Sequence, residues 1–214
     1  MIKKLFLDTE TTGVEIEESH VIEIGMIIEY GNIYKEHILN CAPSDPDYSL
    51  TEIAEEKHGY SREDIDKFPS SIETYNSLIK ILGGHVNKFD RTDKFVVYGY
   101  GAEFDVQMMR KFFLCNGDNF FGSHFWHPWV DIMTLAMNYL ADQRHRLENF
   151  KLGTVAEYLG IETDNKKLHG ALYDAWLCKE ILRKINGEEK VEHSVEDVRK
   201  SKLERAFRRH QKSE

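Results

Sequence analysis

Apolar residues in this chain fall first into short strand-like runs and later into helical periods. Runs over residues 2–10, 20–30 and 32–40 are rich in Ile, Leu, Val, Phe and Tyr, and predict three strands in a meander. A β-branched and aromatic run, Phe95-Val96-Val97-Tyr98, closed by glycines, predicts a buried strand over 94–100. Helical spacing falls near 70–83, 103–115, 131–142, 151–160 and 170–186, with a loop region between the third strand and the first helix. Strands first and helices interleaved later predict an α/β fold, a central mixed β-sheet flanked by helices on both faces. The chain has no internal repeat and no low-complexity tract. Past Asn186-Gly187 it becomes highly charged, which divides it into a domain over 1–186 and a tail over 187–214. Residues 195–210 fit either a short amphipathic basic helix or a disordered segment.

Composition narrows the class without naming it. A chain of 214 residues with 41% hydrophobic content can bury one sizeable core. No apolar run is long enough to cross a bilayer, and Met1-Ile2-Lys3-Lys4 leads straight into the first strand, so no membrane partner and a cytoplasmic location are expected. Cys41, Cys115 and Cys178 are odd in number and scattered, which argues against a disulfide framework or a zinc knuckle. Cys178 reads as helix core. His124 and His127 lack a second ligand pair at finger spacing. Phe120, Phe121, Phe125, Trp126 and Trp129 read as packing beneath a loop in preference to a base-stacking platform.

Three short stretches carry candidate chemistry. In Asp8-Thr9-Glu10-Thr11-Thr12-Gly13 the two acids follow a strand run, and residues i and i+2 of a strand project from the same face. Paired carboxylates repel unless a cation, a proton or hydrogen bonds offset the repulsion, and hard oxygen ligands suit magnesium or manganese. A solvated strand end running into a Thr-Thr-Gly turn is the plainer alternative. In Phe104-Asp105 the acid falls in the first turn of a helix, where the dipole favours its charge. In His169-Gly170-Ala171-Leu172-Tyr173-Asp174 the His and Asp would lie about 140° apart on one helix. A helix beginning near Gly170, with His169 in the preceding loop, lets the imidazole fold back over Asp174.

Together, D-x-E near the start, F-D after a middle strand and H-x-A-x-x-D before the last long helix resemble the DEDDh, or DnaQ-like, 3′–5′ exonucleases. The likeness covers roughly residues 1–186. Supporting stretches are His58-Gly59, the run from Asp131 to Ala136 and the run from Leu152 to Ile161. One departure stands out: where the family often has His-Asn ahead of the Phe-Asp pair, this chain has Tyr100-Gly101.

The resemblance implies a ribonuclease H-like fold and two-metal hydrolysis that releases nucleoside 5′-monophosphates from a single-stranded 3′ end. It implies two magnesium ions, with manganese a substitute, held by Asp8, Glu10, Asp105 and Asp174, and His169 as general base. Thr11, Thr12 and Val14 are expected to seat the terminal nucleotide. Lys167, with Lys166, is expected to meet the phosphate backbone because the pair immediately precedes His169; Lys88, Arg91, Arg110, Lys111, Arg144, Arg146 and Lys151 are weaker candidates.

The net charge of −9 is softened by its distribution, since residues 197–214 hold seven Lys or Arg against three Asp or Glu. That tail is a candidate docking segment for a polymerase or another nucleic-acid enzyme, and homodimers are common in the family. DNA is favoured over RNA as substrate. The alternatives are an RNA-trimming exoribonuclease and a non-catalytic module of the same fold that holds a nucleic-acid end or a protein.

Overall fold

A computed structural model of the chain describes residues 1–164 and 167–188. Strands β1 (Lys3–Thr11), β2 (Val21–Tyr30) and β3 (Ile33–Asn40) form the predicted meander. With β4 (Phe95–Gly99) and a two-residue β5 (Val130–Asp131) they make one sheet of order β3-β2-β1-β4-β5. β1 runs antiparallel to β2 and β2 to β3, whereas β1–β4 and β4–β5 are parallel, so the sheet is mixed as predicted.

Helices cover both faces, which is why the central strands read as unbroken apolar runs. Leu5, Leu7, Ile24, Met26 and Ile28 pack with Leu78 and Leu82 of α3 (Ser71–Gly83) and with Met109 and Phe113 of α4 (Glu103–Cys115). Phe6 and Ile27 face the other way. They pack with Ile132 and Ala136 of α5 (Ile132–Tyr139), Val155 of α6 (Leu152–Tyr158), and Leu177 and Ile181 of α7 (Ala171–Asn186). Along β1, then, odd residues look toward α3 and α4 and even residues toward α7. Cys178 is fully buried in α7, as expected for helix core. Phe121 and Phe125 are buried against Phe113, and Phe120 is exposed.

The region between β3 and α3, predicted as loop, holds two further helices, α1 (Glu52–His58) and α2 (Arg62–Ile65). Each buries a single residue, Ala54 and Ile65 respectively, so there is no apolar stripe for periodicity to detect. Their ends are set by capping: Thr51 accepts from Ala54 N at 3.2 Å, Gly59 closes α1 at φ 71°, and Ser61 and Asp64 form a capping box. α5 stops at Tyr139, short of the predicted 142, and a 3-10 stretch Ala141–Arg146 follows. That stretch is exposed throughout and has no buried face to hold an α-helix. α7 closes on Gly187 at φ 67°. The basic segment predicted at 195–210 lies outside the described residues, and no helix among those described is long and apolar enough to cross a membrane.

Candidate active site

Asp8 and Glu10 stand at the C-terminal end of β1 and share the parity of Phe6, so both face α7. Asp174, in the first turn of α7 and 7% exposed, meets them there. Carboxylate oxygens of Asp8, Glu10 and Asp174 lie within 4.8 Å of one another. Asp105 comes from the opposite face: it sits in the first turn of α4, and its Oδ1 accepts from Thr9 N at 2.9 Å and Thr9 Oγ1 at 2.7 Å. The alternation that turns Asp8 and Glu10 toward α7 turns Thr9 toward α4. Four acids therefore converge on one strand end, three as a tight set and the fourth tied to the residue between two of them.

Their electrostatics fit a cation. Burial, then Asp105, Asp174, Glu10 and Glu23, raise the Asp8 carboxyl well above the usual range. Burial followed by the charges of Asp174, Glu23 and Asp105 pushes Glu10 up to about 9, with Lys57 opposing. Asp105 is pushed up to about 7 by burial, against the lowering effect of its bonds from Thr9. Without a counter-charge these groups hold protons; a hard divalent ion replaces those protons with a stronger, multidentate partner.

His169 lies in the loop before α7, as expected, and takes a left-handed φ of 66°. The contact to Asp174 differs from the expected one. The backbone N–H of His169, not the imidazole, donates to Asp174 Oδ2 at 3.2 Å. The imidazole instead lines the cleft, where burial, Lys57 and Lys151 lower its pKa and keep it neutral near pH 7. A neutral imidazole at the edge of an acid cluster can accept a proton.

The site opens to solvent as a cleft of about 170 Å³. Asp8, Glu10, His169 and Asp174 line one side, with Thr11 and Val14 beside them. Ile53, Lys57, His58 and Phe104 line it too, and sequence reasoning placed none of these in the site. His58-Gly59 and Phe104 stood in recognised stretches, so the signal was present, but the folding of α1 over the cleft was not. His58 accepts from Tyr60 N at its Nδ1, 3.0 Å away, and its buried Nε2 has no hydrogen-bond partner among the described residues.

Two expected substrate residues are placed elsewhere. Thr12 is 0% exposed, and its hydroxyl accepts from His20 N at 3.0 Å while its backbone bonds His20 O and Thr51 N. It organises the loop after β1 and does not line the cleft. Lys167 pairs with Asp164 at 2.8 Å and is also absent from the cleft wall, and Lys166 lies outside the described residues. Lys111 donates to three loop carbonyls, of Ile16, Glu17 and Ser19, and is engaged there. Gly101 sits at φ 71°, a conformation that Gly and Asn adopt most readily, and donates to Asp131 Oδ1 at 2.9 Å.

A five-stranded mixed sheet flanked by helices, with acids gathered at the end of its central strand, defines a ribonuclease H-like nuclease. The exonuclease family model of the RNase T type matches residues 5–182, and the chain belongs to that family, among the DnaQ-like 3′–5′ exonucleases. The DNA polymerase III subunit epsilon of Aquifex aeolicus (strain VF5) is 25% identical over 179 residues, covering 84% of this chain and 78% of that protein. Among solved structures, E. coli Exonuclease I in complex with a dT13 oligonucleotide superposes with a TM-score of 0.67 at 20% identity over 86% of this chain. The complex of the same enzyme with a dA16 oligonucleotide gives 0.69 at 19% over 88%. These likenesses concern the fold, and the chain spans only 41% and 42% of those two Exonuclease I chains.

Proposed function

We propose that this chain removes nucleoside 5′-monophosphates one at a time from the 3′ end of single-stranded nucleic acid, with DNA preferred over RNA. The observation that carries this reading is the convergence of Asp8, Glu10 and Asp174 within 4.8 Å at a cleft that His169 also lines. Asp8, Glu10, Asp105 and Asp174 are the residues that hold divalent metal, two magnesium ions by family resemblance with manganese as substitute. When bound, the metal polarises the scissile phosphate and orients the groups around it.

The chain's own residues do the rest. His169, neutral at working pH, takes the proton of the attacking water. Phe104, Val14 and Ile53 offer apolar surface to the terminal nucleoside, Thr11 borders it, and Lys57 faces the phosphate side beside His169. A DNA substrate is supported by the oligodeoxynucleotide complexes of Exonuclease I and by the polymerase subunit among the relatives. The nuclease domain is assigned to 1–186, and the basic tail to docking on a polymerase or another nucleic-acid enzyme in the cytoplasm.

The test is a time course on matched 5′-labelled single-stranded DNA and RNA with magnesium, beside an Asp8→Ala control. The expected result is a descending ladder, faster on DNA and absent in the control. No ladder on either substrate would favour a non-cutting binding module, and a faster RNA ladder would make the enzyme an exoribonuclease.

A further inference from the structure

β2 carries an acid that neither packing nor the metal set accounts for. Glu23 is 0% exposed near the start of β2, within the run Val21 to Ile28 that is buried throughout, and it lies directly across from Glu10. A buried carboxylate opposite another carboxylate costs stability twice over, through desolvation and through like-charge repulsion. An apolar side chain would serve the sheet better there.

The partners of Glu23 explain its presence. Its Oε1 accepts from Ala171 N at 3.1 Å, across a separation of 148 residues. Its Oε2 accepts from Tyr60 Oη at 2.6 Å and Asn40 Nδ2 at 3.1 Å. The first amides of a helix have no partner within the helix, and at α7 the N-cap is Gly170, which has no side chain to supply one. Glu23 supplies the missing acceptor from the sheet. Two residues on, Gly25 lies across from Asp8, and a Cβ there would come within 2.1 Å of the Ala171 carbonyl carbon. Glu23 and Gly25 together form a seat into which the start of α7 fits directly beside Asp8. Tyr60, held by the same carboxylate, stacks on His58 at 5.6 Å between ring centroids, so the seat also reaches the opposite wall of the cleft.

We propose that Glu23 is a positioning residue for the exonuclease reaction: by accepting the Ala171 amide it fixes the start of α7 and, through it, His169 on one side and Asp174 on the other. The proposal rests on the function given above. It assigns Glu23 no contact with substrate or metal. What matters is the reach of its acceptor, not its charge.

Two variants separate reach from charge. Glu23→Gln keeps the length and one acceptor oxygen for Ala171, and Tyr60 and Asn40 can reorient toward its amide. Glu23→Asp keeps the charge and is one methylene short. A misplacement of about 1 Å costs up to roughly a hundredfold in rate. Glu23→Asp should therefore lose about tenfold or more in kcat, whereas Glu23→Gln stays within about threefold of the parent. Both are assayed where circular dichroism shows them folded.

Two readouts do not depend on turnover, namely manganese affinity by calorimetry and the His169 ring signals by NMR in metal-free protein. Glu23→Asp should weaken the first and shift the second, and Glu23→Gln should leave both near the parent. The reverse order, with Gln poor and Asp good, would mean that charge acts and would overturn the proposal. So would two variants indistinguishable from each other, whether both poor or both like the parent. A parent protein that degrades no substrate sinks the nuclease reading instead, and the binding and NMR readouts still judge the positioning.

Discussion

At the scale of single residues, the site divides into groups whose roles follow from local spacing and groups whose roles depend on what folds against them. Asp8 and Glu10 were legible because strand alternation alone sends both to one face, and Asp174 because the glycine at the second position of its six-residue motif frees the histidine before it. The place of Thr12 was not legible for the opposite reason: nothing in Thr-Thr-Gly shows that His20 comes back to bond both its hydroxyl and its backbone. His169 gives the sharpest residue-scale prediction. Its bond to Asp174 is made by the backbone N–H, which any replacement but proline retains, so the acid cluster should survive loss of the imidazole. Asparagine tolerates the φ of 66° better than most residues. His169→Asn should therefore lose about a hundred- to ten-thousand-fold in kcat, the usual contribution of a general base, while binding manganese with affinity within about twofold of the parent. Full activity in that variant would remove His169 from the reaction, and lost manganese binding would make it part of the metal site.

At the scale of elements, α7 is where sheet and site depend on each other. Its body was readable from apolar periodicity, and its start from the glycine at 170. Its depth was not, because that is set by a residue with no side chain on another strand. Gly25 lies where a β-carbon would overlap the Ala171 backbone, and backbone cannot step aside as a flexible side chain can. Gly25→Ala should push the start of α7 away from β2 and destabilise the fold by about 1–3 kcal/mol, the typical cost of overpacking, with a larger fractional loss of manganese affinity than of stability. Urea unfolding and metal titration check the two parts separately. A variant as stable as the parent, with intact metal binding, would show that the helix can be lifted without consequence. α1 illustrates the converse failure of sequence reading. It buries only Ala54 and so shows no stripe, yet it brings Lys57 and His58 to the cleft; its caps, Thr51 and Gly59, were the one local signal available.

At the scale of the whole molecule, the acid cluster ties the stability of the fold to pH and to metal. A carboxyl whose folded value lies above its unfolded one binds more protons in the native state, so its contribution is complete below the unfolded value and drains away as pH rises through the folded one. For Glu10 that window runs from 4.5 to about 9, and for Asp105 from 3.8 to about 7, with Asp8 shifted in the same direction. Histidines act oppositely over the lower part of the range. His20, His37, His58, His85, His124 and His169 are all lowered from 6.5, chiefly by burial, so the unfolded chain binds more protons than the native one below that value, and their contribution is restored as pH climbs to it. From about one unit above 6.5 the histidines are essentially neutral in both states and the carboxyls govern the slope. Metal-free protein in a chelator should therefore show a melting temperature that falls from about pH 7.5 to 8.5. Magnesium or manganese binds the ionised carboxylates of the native state alone, so its stabilisation should grow over the same interval, reaching about 2.7 kcal/mol at a concentration a hundred times Kd. Differential scanning calorimetry at matched ionic strength decides between this and a generic effect of salt: a metal-induced shift independent of pH, or one reproduced by an equal charge of sodium, would mean that the acids at the end of β1 are not where the metal binds.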